Sequence, residues 1–190
     1  MHLFPQLRKL EEKYRERLAV IGVHSAKFTS ERETANVRKA ILRYDIRHPV
    51  INDADFTVWQ SWGIRAWPTL MFVDPRGQVI GKHEGELPYE EFDRLIADMT
   101  GEFQRAGLLD PAPLPFQLEA DTESSTPLRF PGKVEADGEQ GRLFIADSSH
   151  NRVLVTDLAG RAQERIGSGD PGMEDGEFES ASFWGPQGMA

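Results

Sequence analysis

The chain of 190 residues is 39% hydrophobic and 28% charged, with a net charge of -9 at neutral pH. This negative balance argues against nucleic acid and anionic membranes as general partners, because both are polyanions. The absence of cysteine excludes disulfides, thiolate chemistry and cysteine-based metal sites within these residues. No apolar run approaches the roughly 20 residues of a membrane helix and no signal peptide is visible, so cytoplasm is the default expectation.

The first half of the chain alternates between helical and strand patterns. Apolar residues recur every three or four positions across residues 3–17, which predicts an amphipathic helix. Residues 18–23 form an apolar run that predicts a short buried strand. Ser30 and Glu33 make a capping-box pattern ahead of a second helix, and residues 49–53 predict a second strand. This alternation implies parallel strands with right-handed crossovers.

A proline marks the start of the next strand. Proline has no N–H for a strand ladder, so Pro68 belongs at the first residue of a strand or in a tight turn, where an X-Pro bond can be cis. Residues 69–73 then predict a fully buried strand, followed by a β-turn at 74–77 and an antiparallel return at 79–82. Helices are predicted on either side of this hairpin, at 56–62 with Gly63 as C-cap and at 89–103.

A Pro-Thr strand start, a tight turn and a return strand resemble the second half of an α/β thioredoxin fold, with Pro68 as its cis-proline. The resemblance implies a strand and a Cys-x-x-Cys pair ahead of the first helix, whose N-terminus lowers the thiol pKa. Both would lie before Met1, so we expect the first strand and the redox cysteines to be missing, and no catalytic residue is assigned. By the same resemblance, Trp67 and Pro68 border the substrate groove.

The second half of the chain has a different texture. Residues 109–129 are rich in proline and serine and have no periodicity, which predicts an interdomain linker. Short strands are predicted beyond it, at 142–147, 152–157 and 163–167, with a turn at 148–151.

The run from Leu143 to Val153, with Asp147, His150 and Asn151, resembles an NHL repeat, the blade unit of a β-propeller. The glycine-containing stretch 167–188 resembles the loop that joins one blade to the next. The chain thus resembles the NHL-repeat-containing thioredoxin-like proteins.

This resemblance implies three regions. Residues 1–108 form a thioredoxin-like domain with an incomplete N-terminus, 109–129 the linker, and 130–190 an incomplete first all-β NHL blade with its inter-blade loop. Propellers close with about 4–8 blades, and the first strand of the thioredoxin fold is missing, so we expect a chain truncated at both ends. We expect the lone blade to be marginally ordered, because its faces lack neighbours.

Several residues suggest other chemistry. His24 follows a predicted strand and could act as a general base or metal ligand, although a loop histidine bonded to backbone is the favoured interpretation. Asp53, Asp55 and Asp74 could form a cation site, but capping of the next helix explains one of the first two. No metal site and no cofactor is predicted.

The polar residues of the second half are interpreted as structural. Asp147, His150, Asn151 and Arg152 are expected to bond turns and neighbouring blades. The glycines from 167 to 172 mimic a phosphate loop, but no helix is predicted to follow and four acidic residues lie close behind, which argues against nucleotide binding.

Two functions follow from the resemblance. It implies thiol-disulfide redox chemistry coupled to a protein-interaction propeller, in a family whose redox cysteines this chain lacks. The alternative is a redox-inert scaffold or protein-binding module. Protein or peptide partners are expected in both cases, and the oligomeric state is left open.

Overall fold

The computed structural model describes residues 3–110, 112, 114–122 and 126–189. The chain divides into two compact units, Met1–Glu123 and Ser124–Ala190. The division falls inside the stretch predicted to be a linker, while the three domain bounds themselves stay predictions.

The first unit alternates helices and strands. Its elements in chain order are α1 (Leu3–Lys13), β1 (Gly22–His24), a 3-10 turn (Thr29–Arg32), α2 (Thr34–Arg43), β2 (Val50–Asn52), α3 (Thr57–Ser61), β3 (Thr69–Val73), β4 (Val79–Glu84), α4 (Tyr89–Arg105) and α5 (Glu119–Thr122). β1 pairs with β2 in parallel, as predicted, and β3 pairs with β4 antiparallel. The two pairs are separate two-stranded sheets.

Helix α1 contributes to both cores of this unit. The larger cluster joins α1 to α4 and to β3, through Leu7, Leu10, Tyr14, Phe92 and Ile96 with Leu70 and Phe72 packed against them. The smaller cluster joins α2 to β2, through Val37, Ile41 and Ile46 with Phe4 and Val50 packed against them. Phe4 belongs to α1, so this helix lies over one face of both strand pairs.

The opposite face of the strand pairs is exposed, which corrects the prediction of buried strands at 18–23 and 69–73. Val23 pairs with Ile51 and Val73 with Val79, and all four side chains are between 43% and 53% exposed. The apolar runs were interpreted as covered on both faces, whereas successive side chains of a strand alternate and only one set meets the helices. The first strand is also shorter and shifted, and ends at His24.

The capping box predicted at Ser30 and Glu33 is wrong. Glu33 occupies the N-cap of α2 without a side-chain hydrogen bond to the helix. The carboxylate that serves here is Glu31, whose Oε2 accepts the N–H groups of Lys27 at 3.0 Å and Phe28 at 3.2 Å. Those bonds close the 3-10 turn and delay the start of α2 to Thr34.

The second unit is a single antiparallel sheet. Its strands are β5 (Lys133–Asp137), β6 (Arg142–Asp147), β7 (Arg152–Asp157) and β8 (Ala162–Ile166), hydrogen-bonded in that order. The predictions at 142–147 and 152–157 are confirmed, and the predicted third strand begins one residue earlier. The buried centre of the sheet comes from β6 and β7, with Ile145, Ala146 and Val155 at most 8% exposed.

The residues after β8 return to the start of this sheet. The Ser148 hydroxyl donates to the Pro186 carbonyl at 2.5 Å, and Lys133 Nζ donates to the Met189 carbonyl at 2.6 Å. Asn151 holds the same segment from the β6–β7 turn, because its Oδ1 accepts the Gly185 N–H at 3.0 Å.

Candidate functional site

Trp67 and Pro68 lie immediately before β3, and the peptide bond between them is cis. The Trp67 side chain is 50% exposed, yet its position is fixed on two sides. Its indole N–H donates to the Ser25 carbonyl at 2.9 Å, and its ring lies 4.2 Å from the Trp59 ring, centroid to centroid. Phe56 meets the Trp67 ring edge-on at 6.5 Å. The result is an anchored aromatic wall beside Pro68, formed by Phe56, Trp59 and Trp67.

Asp53 lies behind this aromatic wall and is 5% exposed. Its Oδ2 accepts the Ser25 hydroxyl at 2.8 Å and the Trp59 N–H at 2.9 Å, and its Oδ1 accepts the Val58 N–H at 2.9 Å. The carboxylate thereby caps α3 from beneath, while Phe56 occupies the N-cap position with a left-handed φ of 58°. Asp53, and not Asp55, thus performs the capping that the sequence predicts for one of the two.

These hydrogen bonds keep Asp53 ionised despite its burial. Burial disfavours the charged carboxylate, but the N–H groups of Trp59 and Val58 and the Ser25 hydroxyl outweigh it, so the pKa of Asp53 lies below its usual value of 3.8. A buried negative charge held by neutral donors is therefore part of the support for the aromatic wall.

The other candidates of the first half have local partners. His24 is the last residue of β1 and not part of a loop as predicted, and its Nε2 lies 3.2 Å from the Glu31 carbonyl, the kind of backbone contact that was expected. Asp74 Oδ1 accepts the N–H groups of Arg76 and Gln78 and so closes the β3–β4 turn. Among the residues that the structure describes, no group of three or more histidine or acidic side chains could hold a metal ion.

The polar residues predicted to stabilise the second half converge on Asp147, whose side chain is fully buried. Its carboxylate accepts the Arg129 N–H at 2.6 Å and Arg152 Nε at 2.8 Å, and lies 2.7 Å from His150 Nδ1. Asn151, with φ of 49°, turns the chain between β6 and β7. These contacts fix the turn and leave no carboxylate oxygen facing a groove.

Ser25, Phe56 and Trp59 are the members of the site that sequence reasoning missed. Ser25 is 28 residues from Asp53 in the chain, so their hydrogen bond has no local signature. The Ser25 carbonyl that receives the Trp67 indole likewise leaves no trace in the sequence. The predicted helix at 56–62 included Phe56, whereas in the structure Phe56 precedes the helix and has a left-handed backbone.

Comparison with known proteins covers both units. The family described as Thioredoxin-like matches residues 1–79. Along its whole length the chain is 46% identical to Protein SUPPRESSOR OF QUENCHING 1, chloroplastic, of Arabidopsis thaliana, and 40% identical to NHL repeat-containing protein 2 of Bos taurus. It spans 18% and 26% of the length of these two relatives. It is also 28% identical to Thiol-disulfide oxidoreductase ResA of Halalkalibacterium halodurans, over 48% of this chain and 52% of that protein.

Within the described ranges, no helix combines the length and the apolar character needed to cross a membrane. The cytoplasmic location expected from the sequence stays a prediction, as does the role of Trp67 and Pro68 in binding substrate. The thioredoxin-like match and the two similarities along the whole of this chain confirm the family inferred from the sequence: the chain is that of a thioredoxin-like NHL-repeat protein.

Proposed function

We propose that the protein is a thiol-disulfide oxidoreductase in which this chain supplies the substrate groove and not the thiols. The observation that carries the proposal is Trp67, which is half exposed beside Pro68 and yet held by a hydrogen bond and a ring contact. An exposed aromatic ring whose position is already fixed loses little conformational entropy when a polypeptide packs on it. Similarity to a protein named as a thiol-disulfide oxidoreductase supports the same reaction class.

The reaction needs two thiols that these 190 residues do not contain. A thiolate attacks one sulfur of the substrate disulfide, forms a mixed disulfide and releases the other sulfur as a thiolate. The second thiol, once deprotonated, attacks the mixed disulfide, frees the reduced substrate and leaves the enzyme pair oxidised. An external dithiol then returns the pair to its reduced form.

We place both thiols in residues outside the given sequence, ahead of α1. β1 and β3 each belong to a two-stranded sheet, and the Trp67–Ser25 hydrogen bond joins the start of β3 to the loop after β1. A strand added between their free edges would join the two pairs into one sheet and end beside Trp67. A Cys-x-x-Cys that follows such a strand would face the aromatic wall.

We further propose that the second unit is one blade of an NHL β-propeller with protein or peptide partners. Its four strands form the simple antiparallel order that a blade requires, and a relative similar along the whole of this chain is named for NHL repeats. Met173 and Val134 are 89% and 53% exposed, as expected for surfaces that a neighbouring blade covers. Amides of residues 142–156 should therefore exchange faster in the isolated 190-residue chain than in the native product, which is the whole protein as its source cells make it. Equally strong protection in both would contradict the blade assignment.

A redox-inert scaffold is the second candidate, and the absence of cysteine favours it. Reduction of insulin by the product purified from its source cells, with dithiothreitol as electron donor, separates the two. The oxidoreductase predicts a rate well above dithiothreitol alone, abolished by prior alkylation of thiols. The 190-residue chain is the matched thiol-free control and should give no more than the dithiothreitol rate. If the native product is equally inactive, the oxidoreductase proposal is wrong and the redox-inert scaffold is the remaining candidate.

A further inference from the structure

Both contacts that fix Trp67 lead back to one carboxylate. The first contact is the hydrogen bond from its indole to the Ser25 carbonyl, and the second is the ring of Trp59. Asp53 Oδ2 accepts both the Ser25 hydroxyl at 2.8 Å and the Trp59 N–H at 2.9 Å. The same carboxylate oxygen therefore holds both Ser25, which accepts the Trp67 indole N–H, and Trp59, which packs against the Trp67 ring.

Burial of the Asp53 carboxylate costs free energy, which calls for an explanation. Ser25 and Asp53 are 7% and 5% exposed, and burying a carboxylate is unfavourable unless hydrogen bonds replace its water. A serine or asparagine could cap a helix as short as α3, and would bury no charge. An ionised carboxylate makes stronger hydrogen bonds than a neutral acceptor, and both of its oxygens accept, so it can hold the β1 loop and α3 at one fixed separation.

We infer that Ser25 and Asp53 are positioning residues, which set the Trp67 ring against an apolar side chain of a polypeptide substrate. The inference rests on the proposed oxidoreductase. Trp67 contacts the substrate, and Ser25 and Asp53 act only through Trp67. Loss of either should weaken binding of a protein substrate and leave the chemistry at a small disulfide unchanged, since a small disulfide does not extend to the wall.

The kinetic test uses the native product with Ser25→Ala and Asp53→Asn. Removing one buried hydrogen bond worth about 1 kcal/mol should raise KM for insulin about fivefold, with kcat and the rate with hydroxyethyl disulfide kept. Ser25→Thr restores the hydroxyl and should restore KM. Ser61→Ala is the matched control, because that exposed hydroxyl bonds only the Val58 carbonyl in the same helix.

A spectroscopic test remains decisive even if the native product has no reductase activity. With 5-fluorotryptophan incorporated, the fluorine resonance of Trp67, assigned by Trp67→Phe, should shift and broaden in Ser25→Ala and Asp53→Asn and stay in place in Ser61→Ala. An unmoved resonance would overturn the inference whatever the activity. Absence of reductase activity with a moved resonance would instead sink the proposed function and leave the positioning intact. Equal losses with insulin and hydroxyethyl disulfide would also overturn the inference, since they would indicate a general structural role.

Discussion

Among the described residues, each unit buries one aspartate, and the two carboxylates are stabilised in different ways. Asp53 in the first unit accepts only neutral donors, two backbone N–H groups and the Ser25 hydroxyl. Asp147 in the second unit meets the guanidinium of Arg152 and the ring of His150 as well as a backbone N–H. Two donors of Asp53 belong to α3, and the third belongs to Ser25, whose carbonyl holds the half-exposed Trp67 of the aromatic wall. The side-chain partners of Asp147 lie in and directly after the β6–β7 turn, and its backbone donor, Arg129, lies ahead of β5.

The difference shows that the hydrogen-bond partners of a buried carboxylate indicate its structural role. The Coulomb attraction of an ion pair depends on the distance between the charges and not on the direction of approach, which suits a turn that only has to close. Neutral donors must be aimed, so a carboxylate satisfied by them fixes the relative positions of the segments that carry them. We therefore assign a stabilising role to Asp147 and a positioning role to Asp53.

The largest effect is expected from Asp147→Ala. The change leaves the Arg152 guanidinium, 21% exposed, without its carboxylate, and breaking a buried pair costs about 3–5 kcal/mol, here toward the lower figure. Hydrogen exchange across residues 142–157 of the native product should accelerate accordingly. Asp170→Ala, at an exposed loop position, is the control and should leave exchange unchanged. Protection in Asp147→Ala equal to that of the wild type would refute the stabilising role.

The loops of the two units should respond differently to an added methyl group. Gly63 and Gly167 both have positive φ, but a Cβ at Gly63 meets nothing within 4 Å, whereas a Cβ at Gly167 would lie 2.8 Å from the Phe183 ring. Gly63→Ala should cost about 1 kcal/mol from the backbone alone, and Gly167→Ala about 2 kcal/mol more because the ring must move. Urea unfolding of the native product measures both. Similar losses in the free energy of unfolding for the two variants would show that the Phe183 ring moves aside without measurable cost.

Acid should remove the contribution of Asp53. A carboxylate whose folded pKa lies below its ordinary value of 3.8 stabilises the fold above that pH, and the contribution fades as pH falls through the lowered value. The free energy of unfolding of the wild type should exceed that of Asp53→Asn by about 1 kcal/mol near neutral pH, and the gap should close in acid. A gap that persists unchanged at the lowest pH where the protein stays folded would contradict an ionised Asp53.

Local patterns predicted the strands well and the site only in part. β3 was predicted residue for residue because a proline precedes its apolar run and a turn sequence follows it. β6 and β7 were predicted as two short apolar runs separated by a polar turn. Trp67 was predicted as a site residue because Pro68 follows it. No local pattern predicts Ser25, since its partners Asp53 and Trp67 lie 28 and 42 residues away in the chain.

Burial was the weaker part of the prediction. An apolar run indicates a strand, but it does not state how many faces other elements cover. Val23 and Val73 are exposed because α1 and its neighbours pack on the opposite face. Recognising this from sequence would have required knowing which helices share a side, a property of the chain's path rather than of any segment.

Replacement of Trp67 and of Trp184, one exposed tryptophan from each unit, separates the groove from the rest of the surface. Trp67 is 50% exposed and anchored beside Pro68, and Trp184 is 70% exposed in the second unit. The measurement is kcat/KM for insulin reduction by the native product carrying Trp67→Ala or Trp184→Ala, with near-ultraviolet circular dichroism as the check on folding. We predict a loss of about tenfold for Trp67→Ala, the size expected for a central aromatic contact, and no loss for Trp184→Ala. Full activity in a folded Trp67→Ala variant would contradict the assignment of the substrate groove to this wall.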